Sequence, residues 1–284
     1  MKKMKAIMRF KSSAIVTILL FCIYGCGQDA STVDDSTIPL RIEFRLAPDA
    51  PAQSSITAIE LTVSAPDMDD PLIFQITDIN QEQRSAREFI TLPAVDNMTF
   101  SVVAFEGDCR MFSGLRENVS PVEGDSVEIS LAPIPIVIGI RVEQEQLSVG
   151  TPCRLEVYIE DAPPLFALTC ELEFDPSVLQ PQEVAPGSFF GADVLFIEDS
   201  EFQRREENRL ALGITRKADA AAGGAASGAC GSGVVFEVTF ETIGTTGNTA
   251  ITLQDNITLT TPDFDQIDVP SRVIIEAGAF VEIQ

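Results

Sequence analysis

The chain has 284 residues with a hydrophobic content of 45%, enough for two domains of ordinary size, each with a core. Its formal net charge of −24 argues against a nucleic-acid partner, because phosphate binding needs concentrated Lys and Arg. The chain contains no His, the commonest general base and transition-metal ligand, and we therefore expect it not to be an enzyme.

Residues 1–25 have the composition of an export signal. A basic start precedes an apolar run, residues 14–24, which is too short to remain as a membrane span, since a spanning helix needs about 20 residues. The segment 23–26, IYGC, resembles a bacterial lipobox, in which the cysteine is lipidated and becomes the new N-terminus, although Tyr24 is unusual at its position. The sequence therefore predicts a lipoprotein anchored to the outer membrane or cell surface through Cys26, with a plain secretory signal as the alternative.

A polar tether and a first sandwich follow the export signal. Residues 26–38 comprise Cys26 and a stretch without apolar periodicity, which we interpret as the tether. Residues 39–132 contain seven short apolar runs separated by turn residues, a pattern that predicts an immunoglobulin-like or fibronectin-type sandwich of about seven strands. This segment resembles the spacer sandwiches of bacterial surface lipoproteins. Pro133 and Pro135 then stiffen a short join, so we expect the sandwiches to sit end to end with little freedom.

The last segment, residues 135–284, contains the clearest pattern in the chain. Between Cys153 and Leu179, apolar and polar side chains alternate along two runs, which predicts two strands with one buried face each. A break at residues 161–164 separates these runs. The second run ends in the segment 174–179, FDPSVL, so the strand stops at a fixed point and an apolar pair folds back under the sheet.

This signature resembles cohesin domains, in which a strand ends at an aromatic-Asp-Pro turn followed by a Val-Leu pair. Three further segments follow in the family's order: GSFF from Gly187, RLALGI from Arg209 and GSGVVFEVTF from Gly231. The resemblance implies a jelly-roll sandwich of about nine strands that recognises dockerin modules of secreted enzymes. The predicted fold class is therefore all-β, with two tandem β-sandwiches; another antiparallel sandwich with short strands is the alternative for residues 135–284.

The resemblance also indicates a surface for partner binding. In cellulosomal cohesins the strand that ends at the turn carries partner-contacting Asn and Asp residues on its outer face, and this chain departs from that pattern. Small and polar side chains on adjacent strands make a flat surface, which suits a docking helix better than an enclosed small ligand. The candidate partner-binding residues are Ala167, Thr169, Glu171, Arg209, Ala211 and Gly213.

Two other functions are compatible with the sequence. Cellulose-binding modules share the cohesin fold, so polysaccharide binding is the second hypothesis. Sugar-binding faces usually stack rings on exposed Trp or Tyr, and the chain has no Trp and only Tyr158 after Cys26, so we rank this hypothesis below protein binding. A purely structural role, with both sandwiches as spacers, is the third.

The remaining candidate sites are a loop of carboxylates and four cysteines. Asp263, Asp265 and Asp268 have a spacing similar to calcium loops but lack the usual Gly, so calcium is a weak candidate and no other cofactor is expected.

The four cysteines beyond Cys26 are Cys109, Cys153, Cys170 and Cys230, and they allow three full disulfide pairings, among which the sequence does not choose. Cys153 and Cys170 share parity with buried residues, so either is equally explained as a small core side chain. Cys109 is the only cysteine of its sandwich and must therefore be free or bonded across the join.

Overall fold

The structure, a computed structural model, describes residues 37–47, 55–197, 208–217, 228–244, 247–263, 265–267, 272–276 and 278–284. The predicted export signal, Cys26 and most of the tether lie outside these residues. Both predicted sandwiches lie within one compact unit, residues 36–284. Among the described residues, no helix has the length and apolar character needed to cross a membrane.

The predicted all-β class is confirmed, since the described residues form twenty strands. The first sandwich contains β1 (Thr37–Leu46), β2 (Ala58–Ser64), β3 (Leu72–Ile76), β4 (Ile79–Asn80), β5 (Ser85–Pro93), β6 (Met98–Glu106), β7 (Cys109–Val119) and β8 (Ser126–Pro133). The second contains β9 (Ile136–Val142), β10 (Gln146–Leu147), β11 (Pro152–Leu165), β12 (Ala167–Glu173), β13 (Leu179–Pro186), β14 (Val194–Ile197), β15 (Arg209–Arg216), β16 (Ala229–Thr242), β17 (Gly247–Leu253), β18 (Thr258–Thr260), β19 (Val273–Glu276) and β20 (Gly278–Ile283).

The first sandwich is a continuous path of strands folded around one core. Its order is β3-β2-β6-β7-β8-β1-β5-β4, in which β1 pairs with β5 antiparallel and with β8 parallel. The seven predicted runs correspond to seven of these strands, and β4 adds two residues at the edge. Side chains of alternate residues, such as Ile59, Leu61 and Val63 on β2, are buried in the core, as the period-two pattern requires.

The second sandwich packs two sheets around a separate core. One sheet has the order β10-β20-β17-β12-β15-β14, with β18 also paired to β12, and the other has the order β13-β16-β11-β9-β19. The sequence predicted about nine strands, whereas the described residues divide into twelve. The difference arises partly from very short strands, because β10 has two residues and β18 has three.

The predicted break at residues 161–164 is a pair of irregularities within β11. The pairing of β11 with β16 changes register between Ile159 and Ala162 and again between Ala162 and Leu165. Asp161 has a φ of 51°, in the left-handed region that few non-glycine residues adopt. The extra residues let Ala162 and Leu165 both remain fully buried, so the strand bends without leaving the core.

The turn after β12 has the local chemistry that its sequence predicts. The Asp175 Oδ1 atom accepts hydrogen bonds from the Ser177 amide at 2.9 Å and from the Ser177 hydroxyl at 2.6 Å. These bonds favour the ionised carboxylate and lower the pKa of Asp175. Phe174 and Leu179, on either side of the turn, are buried in the core of the second sandwich, so the turn is anchored at both ends.

The cysteines divide into one disulfide and two thiols. Cys109 and Cys230 form a disulfide between the sandwiches, with their Cα atoms 5.7 Å apart. Cys153 and Cys170 are free and buried, and burial raises the pKa of Cys153 to about 11 and that of Cys170 to about 12. Both thiols therefore stay neutral at physiological pH. Because the nucleophilic form of cysteine is the thiolate, these neutral thiols are unreactive and serve as core side chains.

We predict that Gly139→Ala lowers the free energy of unfolding by about 1–3 kcal/mol, because overpacking forces neighbouring groups to shift. A Cβ at Gly139 would lie 2.6 Å from the Tyr158 Oη atom and 2.7 Å from its Cζ atom. Gly213→Ala is the matched control in another strand, since its nearest neighbour would be 3.6 Å away. In urea unfolding, the control should be as stable as wild type or more stable by up to about 1 kcal/mol. Equal midpoints for the two variants would contradict the close packing of Tyr158 against Gly139.

Glu106→Gln should raise the melting temperature at pH 7. Partial burial and the charge of Asp263 raise the pKa of Glu106 above its ordinary value of 4.5, so the ionised carboxylate destabilises the folded state. The gain from the variant should be present above the raised pKa and disappear as the pH falls through it. Asp108→Asn, which removes an equal charge at an exposed position nearby, is the control and should raise the melting temperature less at pH 7. A melting temperature for Glu106→Gln at or below wild type at pH 7 would refute this assignment.

Candidate functional site

Strands β12 and β15 carry the six predicted partner-binding residues on one surface. The strands pair antiparallel with Thr169 opposite Gly213 and Glu171 opposite Ala211. Ala167 and Arg209 continue the same surface at its two ends, opposite Thr215 and Glu173. Directly opposed residues of an antiparallel pair point to the same side of the sheet, so all six positions face the same way. We call this surface the β12–β15 face.

The core determines which residues form the face. Leu168, Cys170 and Leu172 of β12 are buried, and each lies opposite a buried residue of β15. Because successive side chains of a strand point to opposite sides of the sheet, the residues between them must point to solvent. The parity that the sequence predicted for both strands is therefore the parity of the structure.

The structure adds an apolar margin that the sequence did not predict. Strand β14 pairs with β15, with Ile197 opposite Gly213 and Leu195 opposite Thr215. The side chains of Leu195 and Ile197 are 55% and 53% exposed, which is high for large aliphatic residues. The run of four apolar residues at 194–197 was the available signal, but such a run also suits a fully buried strand.

Other strands of the same sheet extend the face beyond β12. On that side β18 places Thr258 opposite Thr169 and Thr260 opposite Ala167. Farther along the sheet, Phe280 of β20 is 73% exposed, at a position where parity predicts an outward side chain. The face is thus a broad sheet surface of small residues with large apolar side chains toward its margins.

An open hollow lies at the centre of the face. A Cβ added to Gly213 would be no closer than 3.6 Å to Thr169 and 3.9 Å to Ile197, so the glycine leaves room at the hollow's floor. The residues that line it are Thr169, Cys170, Glu171, Ile197, Ala211, Leu212, Gly213 and Asn256. Glu171 supplies the single ionisable carboxylate of this lining, and the Cys170 thiol is buried and neutral. The hollow can therefore accept a small apolar side chain.

The charged residues of the face contact neighbouring side chains. Arg209 Nη1 lies 3.9 Å from Glu171 Oε2. The carboxylate of Glu173 accepts hydrogen bonds from Asn208 at 3.4 Å and from Gln254 at 2.8 Å. Arg209 therefore offsets the charge of Glu171, whereas Glu173 is hydrogen-bonded by neutral amides and keeps its charge.

The predicted calcium loop does not assemble a set of ligands in the described residues. Asp263 and Asp265 are exposed, and Asp268 lies outside the described residues. The Asp265 amide donates to the Thr261 hydroxyl at 3.2 Å, a hydrogen bond within the segment that involves no metal ligand. Nowhere in the part of the chain that the structure describes do three or more Asp, Glu, Cys or His side chains converge to hold a metal ion.

Tyr158 lies on the outer surface of the other sheet, with its ring covered by neighbours. The guanidinium carbon of Arg141 lies 5.3 Å from the ring centroid, a cation–π contact. The ring also lies over Gly139, and the phenol donates a hydrogen bond to the carboxylate of Glu276. The tyrosine considered for sugar stacking is therefore engaged within the protein.

Tyr158 should ionise only at about pH 12. The hydrogen bond to Glu276 favours the protonated phenol and, with burial and nearby carboxylates, raises its pKa from 10.0 to about 12. Phenolate absorbance of residues 36–284 reports this group alone, since it is the one tyrosine in that segment. Glu276→Gln should move the midpoint back toward 10, and Glu160→Gln should move it less. A wild-type midpoint near 10 in protein that is still folded by circular dichroism would disprove the contact.

A match to a family model identifies the second sandwich. Residues 140–274 match the model of the cohesin domain, and this part of the chain is therefore a cohesin domain. The match includes β12, β14 and β15, so both the small residues at the centre of the β12–β15 face and its apolar margin on β14 lie within it.

Solved structures of cohesins match about half of the chain. A type II cohesin domain from the cellulosome of Acetivibrio cellulolyticus is 18% identical and covers 52% of this chain and 95% of its own, with a TM-score of 0.42. A non-cellulosomal cohesin from the archaeon Archaeoglobus fulgidus is 22% identical over 53% of this chain and 91% of its own, with a TM-score of 0.40. A type I cohesin–dockerin complex from Clostridium thermocellum is 12% identical over 53% and 96%, with a TM-score of 0.39. No curated protein matches the chain.

Proposed function

We propose that this protein is a non-catalytic surface lipoprotein whose cohesin domain binds a protein partner, such as a dockerin-bearing secreted enzyme, through the β12–β15 face. The observation that carries the proposal is the composition of that face: small residues at its centre, exposed Leu195 and Ile197 at one margin, and charged groups that already contact neighbouring side chains. A cohesin domain is a protein-binding module, which supports a protein partner over a small molecule.

The face suits a helix with small and aliphatic side chains. A flat surface of small residues lets a helix backbone approach closely, and the hollow over Gly213 can receive one aliphatic side chain. Burying such a side chain contributes roughly 1.5–3 kcal/mol, whereas an exposed ion pair contributes about 0–1 kcal/mol. Binding should therefore depend more on Leu195 and Ile197 than on Glu171 or Arg209.

The location of the protein is part of the same proposal. Cys26 would carry the lipid, and residues 27–38 would tether the first sandwich, residues 39–132, and the cohesin-like sandwich, residues 135–284, to the outer membrane or cell surface. Several acyl chains make such an anchor effectively permanent, because each buried CH₂ contributes about 0.8 kcal/mol. The partner would then be held at the cell surface.

Polysaccharide binding finds less support. The one tyrosine beyond Cys26 is covered by Arg141 and bonded to Glu276, so its ring is not presented for stacking against a sugar. A second hollow, on the sheet that carries Tyr158, is lined mostly by charged side chains. Among them Arg141 pairs with Glu156 at 2.6 Å and Arg154 with Glu143 at 3.8 Å. A spacer role without any partner is the remaining alternative.

The test is capture of secreted proteins by immobilised residues 36–284, with dockerin modules identified by mass spectrometry and then titrated in purified form. Ile197→Asp and Gly213→Arg should weaken binding at least about tenfold, since about 1.4 kcal/mol corresponds to a factor of ten. The matched control is Ile274→Asp, at an equally exposed position on β19 of the other sheet, which should bind like wild type.

Three results would count against the proposal. Retention on cellulose without capture of dockerin-bearing proteins would favour polysaccharide binding. Absence of binding in both the capture assay and the cellulose assay would favour a spacer. Loss of dockerin binding in Ile274→Asp, with Ile197→Asp unaffected, would move the binding surface to the other sheet.

A further inference from the structure

Three consecutive residues at the start of β7 make contacts at the junction between the first sandwich and the cohesin domain. Cys109, the first of them, is bonded to Cys230 at the start of β16, although 121 positions separate the two cysteines in the sequence. Cys109 follows a two-residue turn, since Glu106 of β6 pairs with Cys109. The tip of the β6–β7 hairpin is therefore covalently attached to the second sandwich.

Arg110 makes the second contact. Its Nη1 atom lies 2.8 Å from Asp161 Oδ1, in the irregular part of β11. The left-handed backbone of Asp161 and the hydrogen bond from its amide to the Ser232 hydroxyl, at 3.2 Å, hold this carboxylate near the hairpin. Both side chains remain partly exposed, so the ion pair by itself contributes little to stability.

Met111 contributes the third contact, next to the peptide join. The Ile134 amide, between Pro133 and Pro135, donates to the Met111 carbonyl at 3.1 Å, and Ile134 is 7% exposed. The join and the disulfide are thus two separate covalent connections between the sandwiches. Two separate covalent connections restrict the relative motion of the sandwiches more than one connection does, and the exposed Arg110–Asp161 pair adds little to them.

We propose that these contacts form a clasp that holds the first sandwich and the cohesin domain as one rigid arm, and that the Cys109–Cys230 disulfide is the member on which rigidity depends. Without it, the restraints that the described residues provide at these three positions are the short join, the exposed Arg110–Asp161 pair and the Met111–Ile134 hydrogen bond, which are weak for two separately packed cores. The first sandwich is then an orienting base for the β12–β15 face instead of a freely jointed spacer. This proposal does not depend on what the face binds.

The clasp can be opened chemically. Dithiothreitol breaks the sulfur–sulfur bond by thiol–disulfide exchange, which leaves one thiol on Cys109, one on Cys230, and the reagent as its cyclic disulfide. Cys153 and Cys170 are buried thiols and take no part in this step. Reduction therefore changes the connection between the sandwiches and leaves both cores chemically unaltered.

The test is nuclear magnetic resonance of residues 36–284, with residual dipolar couplings and relaxation measured in each sandwich. Oxidised wild type should show one alignment tensor and one tumbling time for both sandwiches. Cys109→Ser/Cys230→Ser should show two tensors and shorter tumbling times, and reduced wild type should behave in the same way. Arg110→Gln, which keeps the disulfide, is the control and should retain the common tensor.

Each alternative outcome decides against the clasp. Separate tensors in oxidised wild type would show that the sandwiches are not fastened, and a common tensor in the double variant and in reduced wild type would show that the disulfide is not needed. If both disulfide-free forms lost their amide dispersion, the bond would be required for folding and not for orientation. Peptide mapping that found Cys109 and Cys230 unbonded would also overturn the proposal.

Discussion

Burial of alternate side chains between the two sheets of the cohesin domain is the constraint on which the proposed function depends. Leu168, Cys170 and Leu172 are almost inaccessible to solvent, and burying one large aliphatic side chain contributes roughly 1.5–3 kcal/mol. A shift of β12 by one residue would expose all three and bury Thr169 and Glu171 instead. Burial of these residues in the core therefore determines which residues of β12 point to solvent, and those residues form the β12–β15 face.

The charge distribution separates this face from the rest of the protein. The chain carries a formal charge of −24, yet on the face the carboxylate of Glu171 lies beside the guanidinium of Arg209, and Glu173 accepts a hydrogen bond from Gln254. A net charge of this size keeps the protein soluble and repels acidic molecules at long range. Close recognition at the face then depends on shape and on the burial of Leu195 and Ile197, which are large apolar side chains exposed beside small ones.

Local patterns in the sequence were sufficient to predict much of the second sandwich. Period-two alternation gave the strands and their buried sides, and the aromatic-Asp-Pro segment gave the turn that Asp175 and Ser177 form. The apolar margin was missed because strand order depends on pairing between distant segments, which periodicity does not encode. The sequence also predicted a break where β11 is irregular, because its Pro-rich segment is typical of a turn. Burial of Ala162 and Leu165, which depends on distant segments, keeps this part of the chain in the sheet.

For the cysteines, too, local sequence predicted burial but not the pairing of distant residues. Parity identified Cys153 and Cys170 as side chains on the buried side of their strands, where the structure has them as free thiols. The partner of Cys109 depends on which strand ends meet at the junction of the sandwiches, so the sequence left it either free or bonded across the join. The structure has the second arrangement, with Cys230.

Hydrogen exchange of the cohesin domain, free and in complex with a purified dockerin-bearing partner, tests the central claim most directly, because it reports the contact surface without any substitution. The account predicts slowed exchange in β14 and β15 and in the residues of β12, with no change in β9, β11, β13 and β16 of the opposite sheet. Protection confined to the opposite sheet, or to the first sandwich, would contradict it.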